Sequence, residues 1–189
     1  MATTDRVLVA AEEEFGEHGY DRARLSDIAS RAGISRPSLL YHFGSKQELY
    51  TAVVRTAFAR LGETLGGALS SEGTFEERVR NVVNLFSAFL DADPKLARLI
   101  LREHIDGRGP GRDLLMEAGV PVLDQVEIFA REQEDSALPG GLTHRAALMA
   151  LVAAMLVRST TAEVLIDPLW GDHDNPGAAI AAALLPSSN

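Results

Sequence analysis

The stretch Leu25-Ser26-Asp27-Ile28-Ala29-Ser30-Arg31-Ala32-Gly33-Ile34-Ser35 narrows the choice of folds more than any other part of the chain. Leu25, Ile28, Ala29 and Ala32 stand at i, i+3, i+4 and i+7, the spacing that lines up apolar side chains on one helix face. Gly33 follows where a left-handed residue lets the chain reverse, a conformation that costs glycine nothing sterically. Ile34 anchors the turn, and Ser35 can cap a further short helix whose first turn holds Arg36 and Pro37, a place where proline loses no intrahelical hydrogen bond. Helix, glycine turn and capped helix in this order predict a helix-turn-helix. Its second helix would enter a DNA major groove by its N-terminal residues Ser35, Arg36, Pro37 and Ser38.

The rest of the chain also reads as helix, and no stretch alternates long enough for a half-buried strand, so the expected class is all-α with about nine helices. A first helix is expected over about Thr4 to His18, ending at Gly19, with Val7, Leu8, Ala11 and Phe15 on one side. Leu39 and Phe43 turn the helix after Ser35 inward. A fourth helix opens on the capping box Ser45-Lys46-Gln47-Glu48 and runs to about Leu65, where Gly66-Gly67 should end it. The unit boundary is expected near residue 50, dividing a three-helix domain (1–50) from a larger helical one (51–189). A second capping box, Thr74 to Glu77, starts helix five, and Asp93-Pro94 starts helix six. Helix seven should span about Arg112 to Glu134 with a bend at Pro121. Helix eight is expected from Thr143 to Ile166 and a last helix from Gly177 to Leu185.

Composition removes several function classes. The 189-residue chain has no cysteine, which excludes disulfides, thiolate metal sites and cysteine nucleophiles and fits a reducing cytoplasm. The longest uncharged apolar run, Ala146 to Val157, is 12 residues, and a membrane span needs about 20. There is no secretory leader pattern, so a cytoplasmic protein with no membrane partner is expected. The net charge of −9 argues against a nucleic-acid partner, yet Arg22, Arg24, Arg31, Arg36 and Lys46 face one acid, Asp27, over residues 22–46. That segment carries +4 and leaves −13 to the remainder, the asymmetry of a small DNA-contacting face on an acidic body.

The chain resembles the tetracycline-repressor family from residue 7 to 49. The resemblance rests on Val7-Leu8 with Ala10-Ala11, Phe15, Gly19-Tyr20, Asp27-Ile28-Ala29, Ala32-Gly33-Ile34-Ser35, Tyr41-His42-Phe43 and Ser45-Lys46. It implies that Ser26 and Arg36 to Ser38 face bases, that Tyr41 and His42 lie against the backbone or bases, and that Lys46 pairs with a phosphate. A lysine at a helix start is unfavourable for the helix dipole, and a phosphate would account for it; the plain alternatives are a solvated Lys46, a surface-covering Tyr41 and a His42 that caps the end of helix three. Two positions depart from the family's pattern: Leu40 stands where a tyrosine is common, removing a phosphate donor, and Arg24 where a serine or threonine usually begins helix two, adding a charged one.

The resemblance further implies a regulator, in most cases a repressor, that binds a palindromic operator as a homodimer and is released by a small-molecule effector held in the C-terminal domain. Helices eight and nine are the expected dimer contact, because helix eight is apolar almost all round. Phe86, Phe89, Leu101, Met116, Phe129, Met149 and Met155 could line an effector cavity, with His104 or Arg158 as polar anchor, although residues of these types at helical spacing also serve as plain core. No cofactor or metal is expected. Two rival readings are an enzyme using His104 and Asp106 or His173 with Asp172 and Asp174, whose spacing fits no ligand pattern, and a helical sensor that has lost its operator.

Overall fold

The computed structural model describes residues 2–106, 110–131 and 141–170, and every regular element among them is helical. The elements are α1 (Thr3–Arg22), α2 (Leu25–Arg31), α3 (Arg36–Phe43), α4 (Lys46–Leu69), α5 (Phe75–Ala92), α6 (Pro94–Asp106), α7 (Pro110–Leu114), a π-helical turn (Leu115–Gly119), α8 (Val120–Ala130), α9 (His144–Thr160) and α10 (Glu163–Trp170). They form two compact units. The first takes residues 1–59 and 95–119, the second 60–94 and 120–189. The final helix expected at Gly177 to Leu185 lies outside the described residues.

In the first unit, α1 buries Val7, Ala10, Ala11 and Phe15, the spacing of one helix face. Gly19 breaks its geometry with φ 74°, so the helical run stops where the glycine predicted it and a further turn carries the chain to Arg22. α1 packs on α2 and α2 on α3, burying Ile28, Ala29 and Leu39. Leu49, Tyr50 and Val53 of α4 and Leu96, Ala97 and Leu99 of α6 complete this core. Gly16 makes a close approach possible: a Cβ there would fall 2.7 Å from the Lys95 carbonyl oxygen.

Three boundaries differ from the sequence expectation, each for a physical reason. α4 continues through Gly66 and Gly67 to Leu69; burial of Leu65 and Ala68 on one face outweighs a penalty of about 1 kcal/mol per glycine. The irregularity expected at Pro121 sits just upstream, at the π-helical turn. Proline lacks an N–H and crowds the carbonyl four residues back, and the wider hydrogen-bond ring of the turn relieves both. Arg55 Nη2 on α4 holds this turn through both carboxylate oxygens of Glu117, at 2.8 and 3.0 Å.

The third difference is the end of α9 at Thr160 rather than Ile166. The hydroxyls of Thr160 and Thr161 donate to the Leu156 and Val157 carbonyls, and Ser159 donates to Leu156 as well. Such back-bonding competes with the helical ladder. In this second unit α9 packs on α5 and α8. Phe75 stacks on Phe129 at 5.1 Å, with the Arg78 guanidinium 4.4 Å from the Phe129 ring centroid. Arg145 joins α9 to Asp124 and Glu127 of α8.

Candidate nucleic-acid interface

The turn between α2 and α3 is built as its residues dictate. Ala32 N–H donates to the Ile28 carbonyl, Gly33 takes φ +69°, and Ile34 N–H returns to the Ala29 carbonyl at 3.0 Å. Ser35 is in extended conformation and its hydroxyl accepts from Ser38 N–H at 3.2 Å, capping α3, with Pro37 in the first turn. Leu39 is fully buried and Phe43 half-buried, which turns Arg36, Pro37, Tyr41 and His42 outward. Tyr41 is 88% exposed, far more than a covering aromatic needs to be. Its ring meets His42 edge-on at 5.7 Å.

Among the other candidates, Arg24 occupies the N-cap position of α2 and is exposed, while its backbone N–H donates to Glu14 Oε1. Ser26 is exposed and donates to Asp27 Oδ1 at 3.1 Å. Neither Arg24 nor Arg36 has a side-chain partner among the described residues. Ser45 and Glu48 form the start of α4 as expected, with Glu48 N–H donating to the Ser45 hydroxyl and that hydroxyl donating to the carboxylate.

Lys46 has an intramolecular setting that its sequence position did not reveal. Its Nζ donates to the Asp21 carbonyl oxygen at 3.1 Å and lies 4.9 Å from the Tyr20 ring centroid. These contacts at the end of α1 hold the ammonium despite its unfavourable place at the start of α4. An ammonium has three donors, so a direction remains for an outside acceptor.

Arg31 changes the charge picture. Counted in sequence as part of a basic face, it is bound to α1: its guanidinium lies 3.3 Å from Glu13, 3.5 Å from Glu14 and 3.1 Å from Glu17. The hydrogen bond to Glu17 is the main cause that raises the Arg31 pKa, and the same bond lowers that of Glu17. Lys95 of α6 joins the group through Glu13 at 3.2 Å and Glu17 at 3.6 Å. Glu14, Glu17 and His18 also bring ligand atoms within 4.8 Å of one another, but Arg31 and the Arg24 amide already engage the acids, making this an ion-pair cluster. Only its long-range pairing makes it structural, and no local spacing could have announced that.

The expected effector residues divide between the units. Leu101, His104 and Met116 belong to the first, where His104 is exposed and Met116 is 64% exposed. Phe86, Phe89, Phe129, Met149, Met155 and Arg158 belong to the second. Phe129 and Met155 are buried there and Phe129 is taken up by Phe75 and Arg78. Arg158 lies 3.7 Å from Asp91, and its buried Nε has no hydrogen-bond partner among the described residues. An enclosed cavity in the first unit, beside Val54, Phe58, Leu99 and Glu103, has about 10 Å³ of free volume, room for one water at most. Asp172, His173 and Asp174 lie outside the described residues.

Residues 7–53 match the sequence profile of the bacterial regulatory proteins of the tetR family. That match spans α2 and α3 with most of α1 and the start of α4. The transcriptional activator FasR of Mycolicibacterium smegmatis is 39% identical over 95 residues, covering 50% of this chain and 43% of that protein. The chain thus spans under half the length of that relative. The fatty acid degradation regulator FadR from Bacillus halodurans aligns over 96% of this chain and 99% of its own, with TM-score 0.75 and 21% identity. PfmR from Thermus thermophilus, a TetR-family transcriptional regulator, aligns over 95% and 94%, with TM-score 0.67 and 20% identity. At such identities the two structures establish that the all-α fold is shared.

Proposed function

We propose that the protein is a ligand-responsive transcriptional regulator, a repressor by preference, that binds a palindromic operator as a homodimer in the cytoplasm. Residues 1–50 read DNA and 51–189 hold the effector and the dimer contact, with no catalytic step. The observation that carries the reading is α3 itself: a capped helix behind a glycine turn, presenting Arg36 with no side-chain partner among the described residues and Tyr41 at 88% exposure. A free guanidinium at such a position suits guanine or phosphate. Ser26, Ser35, Pro37, Ser38 and His42 complete the base-facing side, with Arg24 and Lys46 on phosphates.

In the second unit, α9 leaves Ala146, Ala150, Ala153 and Val157 exposed, and α10 leaves Val164, Leu165 and Leu169. An uncharged face at 4-3-4 spacing fits a partner helix, and a twofold pair would set two α3 helices one DNA turn, ~34 Å, apart. For the effector, the orphan Nε of Arg158 favours an acceptor-bearing molecule, with Phe86, Phe89 and Met149 as apolar wall. Release by that molecule makes the protein a repressor wherever its operator overlaps a promoter. Activation, as in the name of FasR, would appear as the opposite sign in a reporter.

The test is binding to a duplex selected by the protein from a random library, across a salt series. Sequence-selective affinity is expected, weakened by Arg36→Ala, with the slope of log K against log salt reduced by about 0.9 in Lys46→Ala. Absence of binding at low salt, or indifference to Arg36→Ala, would overturn the reading.

A further inference from the structure

Tyr50 and Glu103 stand 53 residues apart and are both buried, Tyr50 at 0% and Glu103 at 7% exposure. The Tyr50 hydroxyl of α4 donates to the Glu103 carboxylate of α6. Burial first, then this bond, push the hydroxyl far above the ordinary tyrosine value, so it stays a donor. Glu103 is itself hemmed in: a Cβ at Gly111 would overlap Oε2. The other end of Tyr50 is equally constrained. Its ring meets Phe15 edge-on at 4.9 Å and 87°, and Tyr20 at 5.0 Å and 68°. Tyr20 in turn supports the Lys46 ammonium over its face.

These contacts make one continuous line within the first unit, from Glu103 through Tyr50 and Tyr20 to Lys46. We propose that Glu103 is a positioning residue for the DNA-binding face, setting through Tyr50 and Tyr20 the place of the Lys46 ammonium that meets a phosphate. Tyr50 cannot rotate or slide while its hydroxyl is held, and the edge-to-face geometry passes that constraint to Tyr20. With the hydroxyl bond gone, the Tyr20 ring has freedom to shift, and Lys46 loses the surface that keeps it at the end of α1. Residue 103 lies well beyond the segment that matches the tetR family, so α6 acts on the interface from outside it.

The inference rests on the DNA-binding reading and is tested by the same salt series. Tyr50→Phe keeps every ring contact and removes only the hydroxyl. It should lower the salt slope as Lys46→Ala does, by about 0.9, and the double variant should match Lys46→Ala alone. Glu103→Gln retains an acceptor and should keep the wild-type slope, whereas Glu103→Ala should follow Tyr50→Phe. A slope is insensitive to the folded fraction, so simple destabilisation would not reproduce this pattern. A wild-type slope in Tyr50→Phe beside a reduced one in Lys46→Ala overturns the positioning role and leaves the DNA reading standing. So does a normal slope in Lys46→Ala when Arg36→Ala still weakens binding. No binding by the wild type removes both.

Discussion

The two units differ in how completely they cover themselves. Among the described residues, the largest fully buried side chains are Tyr50, Phe15, Ile28, Leu39, Leu49, Leu96, Leu99 and Val7 in the first unit and only Leu90 in the second. Exposed large apolar side chains occur in both, Val9, Tyr41, Ile105 and Met116 in the first, but in the second Val157, Val164, Leu165 and Leu169 gather on α9 and α10. The first unit is closed by apolar interlock and by cross-helix ion pairs, leaving outward the residues assigned to DNA. The second leaves an apolar face on α9 and α10, the surface proposed above as the dimer contact. The duplex proposed as partner has constant chemistry and calls for a well-packed presenting scaffold, and the first unit has the larger share of fully buried side chains.

The sharpest way to break this contrast is to empty each core. Phe15→Ala should cost about 3–5 kcal/mol in urea denaturation, and the same truncation at half-buried Phe89 less than half as much. Equal costs would mean that the units are equally interlocked. Next, Val157→Glu places a charge on the exposed apolar face and should turn a dimer into monomers in sedimentation, with helicity retained. A dimer that persists would assign that face to another role.

Gly16→Ala should cost about 1–3 kcal/mol by crowding the Lys95 backbone, against the gain of about 1 kcal/mol in helix propensity. A neutral or stabilised variant would show that α1 and α6 have slack between them. Paired caps give a smaller effect: Ser35→Ala and Thr74→Ala should each cost about 1 kcal/mol in thermal unfolding, one in each unit. Only the first should also weaken DNA binding.

The smallest effect is acid titration. Glu17 and Glu77 both have pKa values below the ordinary 4.5, Glu17 chiefly through the Arg31 hydrogen bond and Glu77 through the Thr74 backbone amide. A carboxyl depressed on folding stabilises above its unfolded pKa and loses that contribution as pH falls through the folded one, so the loss lies below pH 4.5. In Arg31→Ala, NMR titration should move Glu17 upward and leave Glu77 in place.

The helix-turn-helix was legible because its signals are local. Gly33 needs a positive φ, Ser35 reaches only Ser38, and Leu39 faces the core by helical period. The capping boxes at Ser45 and Thr74 are legible for the same reason. The roles of Arg31, Lys46 and Glu103 were hidden, since each depends on a residue between 14 and 53 positions away. Arg31 looked like part of a DNA face until α1 placed Glu13, Glu14 and Glu17 beside it. The expected effector wall was the least legible, because an aromatic or methionine at helical spacing fits core and cavity alike.

By itself the sequence determined the helical class, the turn between α2 and α3, the caps and the outward residues of α3. These follow from φ preferences, hydrogen bonds within four residues and the 3.6-residue period. Tertiary structure decided that α4 runs on through Gly66 and Gly67 and that Arg31 is spent on α1. It also decided that Tyr50 meets Glu103. In each case burial or charge pairing across distant segments outweighs a local preference of about 1 kcal/mol, and only the packed chain brings those segments together.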